Sequence, residues 1–432
     1  MDRRSWTPQG RRAFSKSMAQ NTKMQSKGPI TYVLVALVCL LLTTLVPAAS
    51  ADYLTKWTGS VPVLGVVVNG YPGLVAGESC IAQTSIVYCI GGLDRNDQPT
   101  NMTYAAPVTG LGVGRWGRLI DYPIEVAGES CVADLGYIYC IGGFERGVAS
   151  NSTTEVTPAS YFAPLAGLNI GNWTRTTDYP FGVFDQSCTV SFDYVYCIGG
   201  IASNSTGVSD VEYAQLSPSG IEQWNSGIPY PSSVSAGSCT SYARNIYCVG
   251  GLNGASRATS SVYYISLAGR SLNWTMATNY PNPVAGHSCV IHYPDLYCIG
   301  GLNATAYATR GVFFSYLNNT NLRWIPSIFY PVNVQSQSCV TDSTYVYCIG
   351  GYDGQTFLAS VYFSTIGTEQ ENSTPGTVTS STTTLLETAS SGFPQWFAAY
   401  GSLIVAAGVA LIVIIASFTS NRRSSKAGSP SS

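Results

Sequence analysis

One motif recurs six times along the chain, and it restricts the possible folds more than any other feature. Each copy reads Tyr-Pro, a short loop, Ser-Cys, eight further residues and then Cys-Ile/Val-Gly-Gly. The first cysteines of successive copies are 51, 57, 51, 50 and 50 residues apart. Self-similarity at such a period is the signature of solenoids, propellers and related arrays. The sequence therefore predicts one repeat architecture rather than several unrelated domains.

Two further positions recur in each period. An aromatic residue follows each Gly-Gly pair, and a tryptophan follows five of these aromatics by 11 or 12 residues. The aromatics are Tyr104, Tyr161, Tyr213, Tyr263, Phe313 and Tyr362, and the tryptophans are Trp116, Trp173, Trp224, Trp274 and Trp324. The surrounding segments are short, rich in β-branched and aromatic residues, and bounded by Gly, Asn, Ser and Pro, which is typical of strands. We expect four strands per repeat: A at the first cysteine, B at the second, C at the aromatic and D at the tryptophan.

The apolar run into Gly-Gly, the later Tyr or Phe and the Trp resemble the kelch repeat over about residues 55–366. This resemblance implies that each repeat is a four-stranded blade of a β-propeller. The expected fold class is all-β: a six-bladed kelch-like β-propeller, closed by the N-terminal strand, plus one C-terminal transmembrane helix. The cysteine pairs and the Tyr-Pro loops depart from the common kelch pattern.

The position of one tryptophan predicts how the ring closes. The last repeat has no tryptophan after Tyr362, whereas Trp57 precedes the first cysteine pair. The strand around Trp57 should therefore supply strand D of the last blade and pair with strand C near Tyr362. An open ring would instead leave unpaired strand edges.

Twelve of the 13 cysteines lie in the repeats, and Cys39 lies in the N-terminal segment. An even, paired set in an exported chain indicates disulfides within each A–B hairpin. The predicted pairs are Cys80–Cys89, Cys131–Cys140, Cys188–Cys197, Cys239–Cys248, Cys289–Cys298 and Cys339–Cys348. Metal binding is the alternative, but it needs four ligands with closer cysteine spacing, and the chain has only two histidines, His287 and His292. We predict no metal and no cofactor, and we expect His287 to be an exposed loop residue.

Both ends of the chain read as membrane-related segments. Residues 1–51 combine a basic start, an apolar run and small residues, which is typical of a signal peptide cleaved before Asp52. Met24 offers an alternative start, and a retained N-terminal anchor is the alternative to cleavage. Residues 393–420 form a predicted transmembrane helix, and the basic tail 421–432 is predicted to be cytoplasmic. Residues 52–367 are the predicted extracellular propeller, and the Ser/Thr-rich residues 368–392 the predicted stalk.

The charge and the sequons of the exterior part limit its partners. Residues 52–392 hold 11 basic and 22 acidic residues, a net charge of −11, which argues against a nucleic-acid partner. Eight Asn-x-Ser/Thr sequons are predicted glycan acceptors on surface loops. They are Asn101, Asn151, Asn172, Asn204, Asn273, Asn303, Asn318 and Asn372.

The repeat also predicts where a ligand binds. In an up-and-down blade the D–A and B–C loops emerge on one face, and variable loops on a constant scaffold are typical of binding sites. The candidate binding-face loops carry Tyr71, Tyr122, Tyr179, Tyr230, Tyr280 and Tyr330. The alternative for each tyrosine is structural packing of a repeated turn. We expect a single-pass cell-surface recognition or adhesion module for a protein or glycan ligand, and no enzyme. The alternatives are a structural cell-envelope component without a specific ligand and, from the kelch resemblance, a propeller enzyme such as a carbohydrate oxidase.

Overall fold

The computed structural model describes residues 54–59, 70–109, 112–145, 155–268 and 272–366. These residues are all-β and form many small antiparallel sheets with a propeller-like arrangement. None of them belongs to a helix long and apolar enough to cross a bilayer. The segments predicted as signal peptide, stalk, transmembrane helix and cytoplasmic tail lie outside the described residues.

Each repeat forms one antiparallel sheet in the order A-B-C-D. The A strands are Ser79–Gln83, Ser130–Asp134, Ser187–Ser191, Ser238–Tyr242, Ser288–His292 and Ser338–Thr341. The B strands are Ile86–Ile90, Tyr137–Ile141, Tyr194–Ile198, Asn245–Val249, Asp295–Ile299 and Tyr345–Ile349. The C strands are Thr103–Thr109, Ser160–Ala166, Val211–Ser217, Val262–Ser266, Val312–Tyr316 and Val361–Ile366.

The D strands are shorter, except the one that comes first in the chain. They are Leu54–Gly59, Gly117–Arg118, Thr174–Arg175, Asn225–Ser226, Thr275–Met276 and Ile325–Pro326. Three C strands extend into a second hairpin with Gly112–Val113, Asn169–Ile170 and Gly220–Ile221. Five two-residue strands join neighbouring loops: Val126–Ala127, Phe144–Glu145, Glu155–Val156, Val183–Phe184 and Ile201–Ala202.

The strand that contains Trp57 belongs to the sheet of the last repeat. It pairs antiparallel with strand C of that repeat, with Trp57 opposite Ser364 and Gly59 opposite Tyr362. The indole packs against Tyr330 and is 7 % exposed. Residues from the two ends of the described chain therefore share one sheet.

The six A strands lie side by side, and the first contacts the last. Two sets of hydrogen bonds join them, and we call these strands together with residues 77, 128, 185, 236, 286 and 336 the hub. In the first set the serine of each Ser-Cys motif accepts the N–H of the cysteine one repeat later. Ser79 Oγ accepts from Cys131 at 2.8 Å, and Ser338 Oγ accepts from Cys80 of the first repeat at 3.0 Å.

The second set joins backbone groups only. Gly77 N–H donates to the carbonyl of Ser336 at 2.9 Å, and Ser336 N–H donates to that of Gly286 at 2.7 Å. The bonds continue through residues 236, 185 and 128 and return to Gly77. All six residues have positive φ. The repeat therefore fixes the backbone conformation here even where the residue is Asp, Ala or Ser rather than Gly.

The hydrophobic core lies between successive sheets, and the disulfides are part of it. The two cysteines of each predicted pair lie opposite each other on strands A and B, and all six pairs form disulfides. The Gly-Gly pair after strand B has positive φ at both positions. A Cβ on Gly143 would lie 2.3 Å from Val126 Cγ2, so the first loop of the same repeat excludes any side chain there.

Candidate functional site

The strand directions define two faces. The D–A and B–C connections lie at one end of the sheets, which we call the loop face, and the A–B hairpins lie at the other, the hairpin face. On the loop face, the backbone N–H of each Tyr-Pro tyrosine donates to a B–C loop carbonyl of the preceding repeat. Tyr122 donates to Asn101 at 2.8 Å, and Tyr71 of the first repeat donates to Ala359 of the last at 2.8 Å. The connections of neighbouring repeats therefore form one continuous surface.

The Tyr-Pro tyrosines are buried in that surface. Their exposed fractions lie between 0 and 6 %. Each ring packs edge-on against the tryptophan of its own sheet, with centroids 4.9 to 5.0 Å apart. The pairs are Tyr71–Trp116, Tyr122–Trp173, Tyr179–Trp224, Tyr230–Trp274, Tyr280–Trp324 and Tyr330–Trp57. These side chains hold strand D to the loop, and of the six tyrosines Tyr280 also lines the cleft between the fifth and sixth repeats.

A cleft of about 560 Å³ opens on the loop face between the fifth and sixth repeats. Asn282, Asn303 and Asn333 line it together with Arg310 and Phe329, and its lining includes no acidic side chain. The Arg310 guanidinium lies over the Phe329 ring, 5.0 Å from its centroid. Phe329 is 60 % exposed. The cleft therefore combines a cation, amide groups and an exposed aromatic ring in a chain whose residues 52–392 carry a net negative charge.

The same two positions carry other residues at the five remaining junctions. The backbone carbonyl of Arg310 accepts the N–H of a Tyr-Pro tyrosine. At the other five junctions the residue in this position is Ala359, Asn101, Pro158, Ser209 or Ser260. The position of Phe329 is occupied by Gly70, Asp121, Asp178, Pro229 and Asn279. At two of these junctions an arginine is paired with the aspartate, Arg118 with Asp121 and Arg175 with Asp178. Arg310 has no such ion pair among the described residues, so its charge is available at the cleft.

Asn303 shapes the rim of the cleft. Its Oδ1 accepts the backbone N–H groups of Thr305 and Tyr307 at 2.9 and 3.1 Å. Asp94 and Asn253 form the same turn in the first and fourth repeats. The turn is therefore a property of the repeat, whereas its tip varies and here carries Tyr307, which is 72 % exposed.

Six of the eight predicted glycan acceptors lie among the described residues, and all six lie outside strands: Asn101, Asn172, Asn204, Asn273, Asn303 and Asn318. Asn151 and Asn372 lie outside the described residues. Whether any of the eight carries a glycan stays a prediction. A glycan on Asn303 would stand at the cleft itself, because this residue lines it.

His287 is not an exposed loop residue, as the sequence led us to expect. It is 6 % exposed, and burial lowers its pKa to about 3, so the ring is neutral. The prediction failed because the turn before strand A faces the neighbouring sheet rather than solvent. Within the described part of the chain, the one group with metal-like spacing is His287, Cys289 and Cys298. Because these two cysteines are bonded to each other, they offer no thiolate to a metal.

The acids whose pKa is raised lie away from the cleft, and Asp185 and Asp295 are two of them. Burial raises the pKa of Asp185, in the hub, to about 6. Burial also raises the pKa of Asp295, at the start of a B strand, to about 6, and the Tyr297 hydroxyl donates to its Oδ2 at 3.4 Å. Neither carboxyl lines the cleft. The groups that line the cleft are suited to holding a ligand by hydrogen bonds, charge and stacking.

The hairpin face carries a second aromatic surface that the repeat pattern did not indicate. Phe192 and Tyr293, at the tips of two A–B hairpins, are 58 and 59 % exposed. Tyr293 stacks on Tyr242 at 4.3 Å, and Arg244 lies over Phe192 at 4.7 Å. Large apolar residues at hairpin tips are the sequence signal for this surface, but they lie outside the repeated motif.

The fold defines the class of protein: a propeller-like array of antiparallel sheets, each with a disulfide between its A and B strands. No family model matches the sequence. A segment of 126 residues is 29 % identical to the Kelch repeat protein M-T8 of Myxoma virus (strain Lausanne), over 29 % of this chain and 22 % of the viral protein. The chain thus spans about a fifth of the length of that relative. The solved structure of YjhT is similar with a TM-score of 0.58 and 14 % identity, over 67 % of this chain and 95 % of that chain.

Taken with the repeat, these likenesses support the resemblance to the kelch-repeat β-propeller family. The kelch resemblance predicted from the sequence is confirmed. A kelch-like propeller suggests a protein-interaction module. The six disulfides suggest an extracellular or secreted domain.

Proposed function

We propose that this protein is a membrane-anchored cell-surface module that recognises a protein or glycan ligand on its loop face, at the cleft between the fifth and sixth repeats. The observation that carries the proposal is the Arg310–Phe329 pair. It occupies positions that recur in every repeat, yet only this junction holds a cation and an exposed aromatic ring there. Residues that vary on a constant backbone are where a repeat scaffold acquires a ligand site.

We also propose that the six sheets are the blades of one ring, closed by the Trp57 strand. Three kinds of contact support closure: the pairing of that strand with the last C strand, the hydrogen bond from Cys80 N–H to Ser338 Oγ, and the hydrogen bond from Tyr71 N–H to the carbonyl of Ala359. Each joins the first repeat or the strand before it to the last repeat. A closed ring leaves no long unpaired edge, which suits an exported protein.

The path of the chain supports the assignment of the faces. The Trp57 strand begins at Leu54 and the last C strand ends at Ile366, and both points lie on the hairpin face, because strands D and C run in opposite directions. The described chain therefore enters and leaves from the hairpin face, and neither end crowds the loop face.

The proposed cleavage before Asp52 is checked by N-terminal sequencing of the purified protein, and an intact start at Met1 or Met24 would contradict it.

The test uses the purified full-length protein in detergent, in a glycan array and in a pull-down from extracellular material. The double variant R310A/F329A should lose the captured ligand. A matched control exists on the hairpin face, where R244A/F192A removes the same kind of arginine–phenylalanine pair and should leave binding unchanged.

Three other results would oppose the proposal in different ways. Loss of binding in the hairpin-face variant alone would move the site to the opposite face. Abundance in the envelope fraction with no captured ligand would favour a structural component. Bound copper, or oxidation of a sugar by the purified protein, would favour an enzyme.

A further inference from the structure

The residue just before each Ser-Cys motif is polar in five of the six repeats, and it is buried between neighbouring sheets. These residues are Glu78, Glu129, Gln186, His287 and Gln337, each 5 or 6 % exposed, and the fourth repeat has Gly237 instead. Each side chain lies under the first glycine of the Gly-Gly pair in the preceding repeat. For Glu78, the preceding repeat is the last one in the chain.

The ends of the glutamate and glutamine side chains lie at the same place, directly beside the first glycine of the Gly-Gly pair. A Cβ on Gly142 would lie 2.9 Å from Gln186 Nε2, and one on Gly91 would lie 2.6 Å from Glu129 Oε1. The corresponding distance from Gly350 to Glu78 Oε1 is 2.5 Å. The carboxyl groups therefore occupy the site that the amide groups occupy elsewhere in the ring.

The glutamines show what this site requires. Gln186 Nε2 donates to the carbonyl of Ile141 at 2.8 Å, and Gln337 Nε2 donates to that of Ile299 at 2.7 Å. Both acceptors are the last residue of strand B in the preceding repeat. The equivalent carbonyls beside Glu129 and Glu78 belong to Ile90 and Ile349. A carboxylate only accepts hydrogen bonds, so only a protonated carboxyl can donate to these carbonyls.

Among the residues that the structure describes, no cation faces either glutamate. The titratable groups that interact with Glu78 are Tyr71, Tyr330 and Glu129, and those that interact with Glu129 are Tyr71, Tyr122 and Glu78. Burial raises the pKa of both carboxyls well above the ordinary range. None of their four oxygens has a partner in good hydrogen-bond geometry, and the backbone N–H groups of Glu78, Glu129 and Ser79 only partly offset the effect of burial on the two pKa values. An ionised pair here would be two desolvated charges with no cation among the described residues to offset them.

We propose that Glu78 and Glu129 are neutral carboxylic acids that donate hydrogen bonds to the carbonyls of Ile349 and Ile90, and that they make the first sheet a proton-sensitive part of the ring. The first sheet is the one sheet with a glutamate at both of its junctions, Glu78 toward the sixth repeat and Glu129 toward the second. Deprotonation breaks both bonds and loosens this sheet first. The inference does not depend on the ligand or on the proposed function.

Whether stability rises or falls with pH follows from the direction in which folding shifts each pKa. A group whose pKa is raised by folding adds stability at low pH, and that stability is lost as the pH rises through the folded pKa. His287 has the opposite effect, because its lowered pKa removes stability as the pH falls from its ordinary range toward about 3. The alkaline effect should therefore be centred on the first sheet, and the acid effect on the junction of the fourth and fifth.

The test is hydrogen exchange of the full-length protein from pH 5 to pH 9, read by mass spectrometry and corrected for intrinsic exchange. Protection of residues 79–90 and 103–109 should fall with rising pH, by about tenfold per pH unit for each glutamate that titrates. Residues 187–198 of the third sheet should show no such fall between pH 7 and pH 9, above the pKa of about 6 of Asp185. The variant E78Q/E129Q should keep the first sheet protected over the whole range.

The reciprocal variant Q337E should create a new alkaline loss of protection in the fifth and sixth sheets. An infrared band of a protonated carboxyl should be present at neutral pH and absent in E78Q/E129Q. Equal pH profiles for the wild type and E78Q/E129Q would overturn the proposal. A shift of protection in E78Q/E129Q that is the same at every pH would also overturn it, because that is the effect of a merely structural glutamate.

Discussion

The hub and the loop face are built from the same six repeats but differ in what the repeat holds constant. In the hub, the bond from one serine to the next cysteine occurs between all neighbouring repeats, and the backbone bonds among residues 77, 128, 185, 236, 286 and 336 return to their start. On the loop face the backbone bond of each Tyr-Pro tyrosine is equally regular, yet the side chain beside it changes from Ala to Asn, Pro, Ser or Arg.

This difference separates stability from recognition. A substitution in the hub interrupts a bond that links two sheets, so it should change stability with little effect on which ligand binds. A substitution at the cleft between the fifth and sixth repeats changes exposed groups on an unchanged backbone, so it should change binding with little effect on stability. The variants below test each half of that comparison, beginning with the largest expected effect.

Truncation of Trp57 should have the largest effect on stability. The indole is 7 % exposed, packs on Tyr330 and donates to the carbonyl of Ile328 at 3.3 Å. W57A should lower the free energy of unfolding by about 3–5 kcal/mol, measured by denaturant unfolding. K56A is the control, because Lys56 is exposed on the same strand. Equal stability of the two variants would mean that the strand is not part of the core.

Removal of one disulfide should have the second-largest effect on stability. The double variant C188A/C197A opens a loop of about ten residues, and the loop-entropy relation predicts a loss of about 2.5 kcal/mol. The equivalent change in any other repeat should cost a similar amount, because all six bridges have a sequence separation of 9. Non-reducing peptide mapping should recover the six local bridges, and pairing between different repeats would refute the arrangement.

Removal of a single hydrogen bond of the hub should have the third-largest effect on stability. Ser238 Oγ accepts the N–H of Cys289 at 2.9 Å, so S238A should leave a part-buried donor without its partner and cost about 1–3 kcal/mol. S232A, at an exposed serine of the same repeat, is the control. If the two variants unfold at the same denaturant concentration, the serine is not a link between the sheets.

The smallest effect on stability is expected at the cleft. Phe329 is 60 % exposed and Arg310 forms no ion pair among the described residues, so R310A/F329A should stay within about 0.5 kcal/mol of the wild type. The same variant should lose ligand binding. A large loss of stability here would mean that the pair is structural, and the contrast between hub and cleft would then fail.

The sequence predicts the strands well because the repeat marks them. The cysteines locate strands A and B, and counting the tryptophans leads to Trp57, which the structure pairs with strand C of the last repeat. The Ser-Cys serine was not assigned a role, because a bond that links residues about 50 positions apart leaves no local pattern. The burial of His287 was missed for a similar reason: it is covered by a neighbouring sheet.

The candidate site was predicted only to the level of a face. Repetition indicated that the D–A and B–C loops share one surface, but it could not single out Arg310 and Phe329, which are 19 residues apart in the sequence. They meet because the Tyr-Pro loop of the sixth repeat is bonded to the B–C loop of the fifth through Tyr330 N–H and Arg310 O, at 3.0 Å. That junction exists only in the folded protein.

Closure of the ring by the Trp57 strand is tested most directly by cutting the chain next to it. A protease site inserted within residues 61–69 would separate that strand from the first repeat without altering any described residue. After cleavage of the native full-length protein, native mass spectrometry should find the N-terminal peptide still bound to the remainder. The peptide should dissociate in denaturant, and W57A should weaken its retention. Immediate loss of the peptide from the native, unmutated protein would contradict closure.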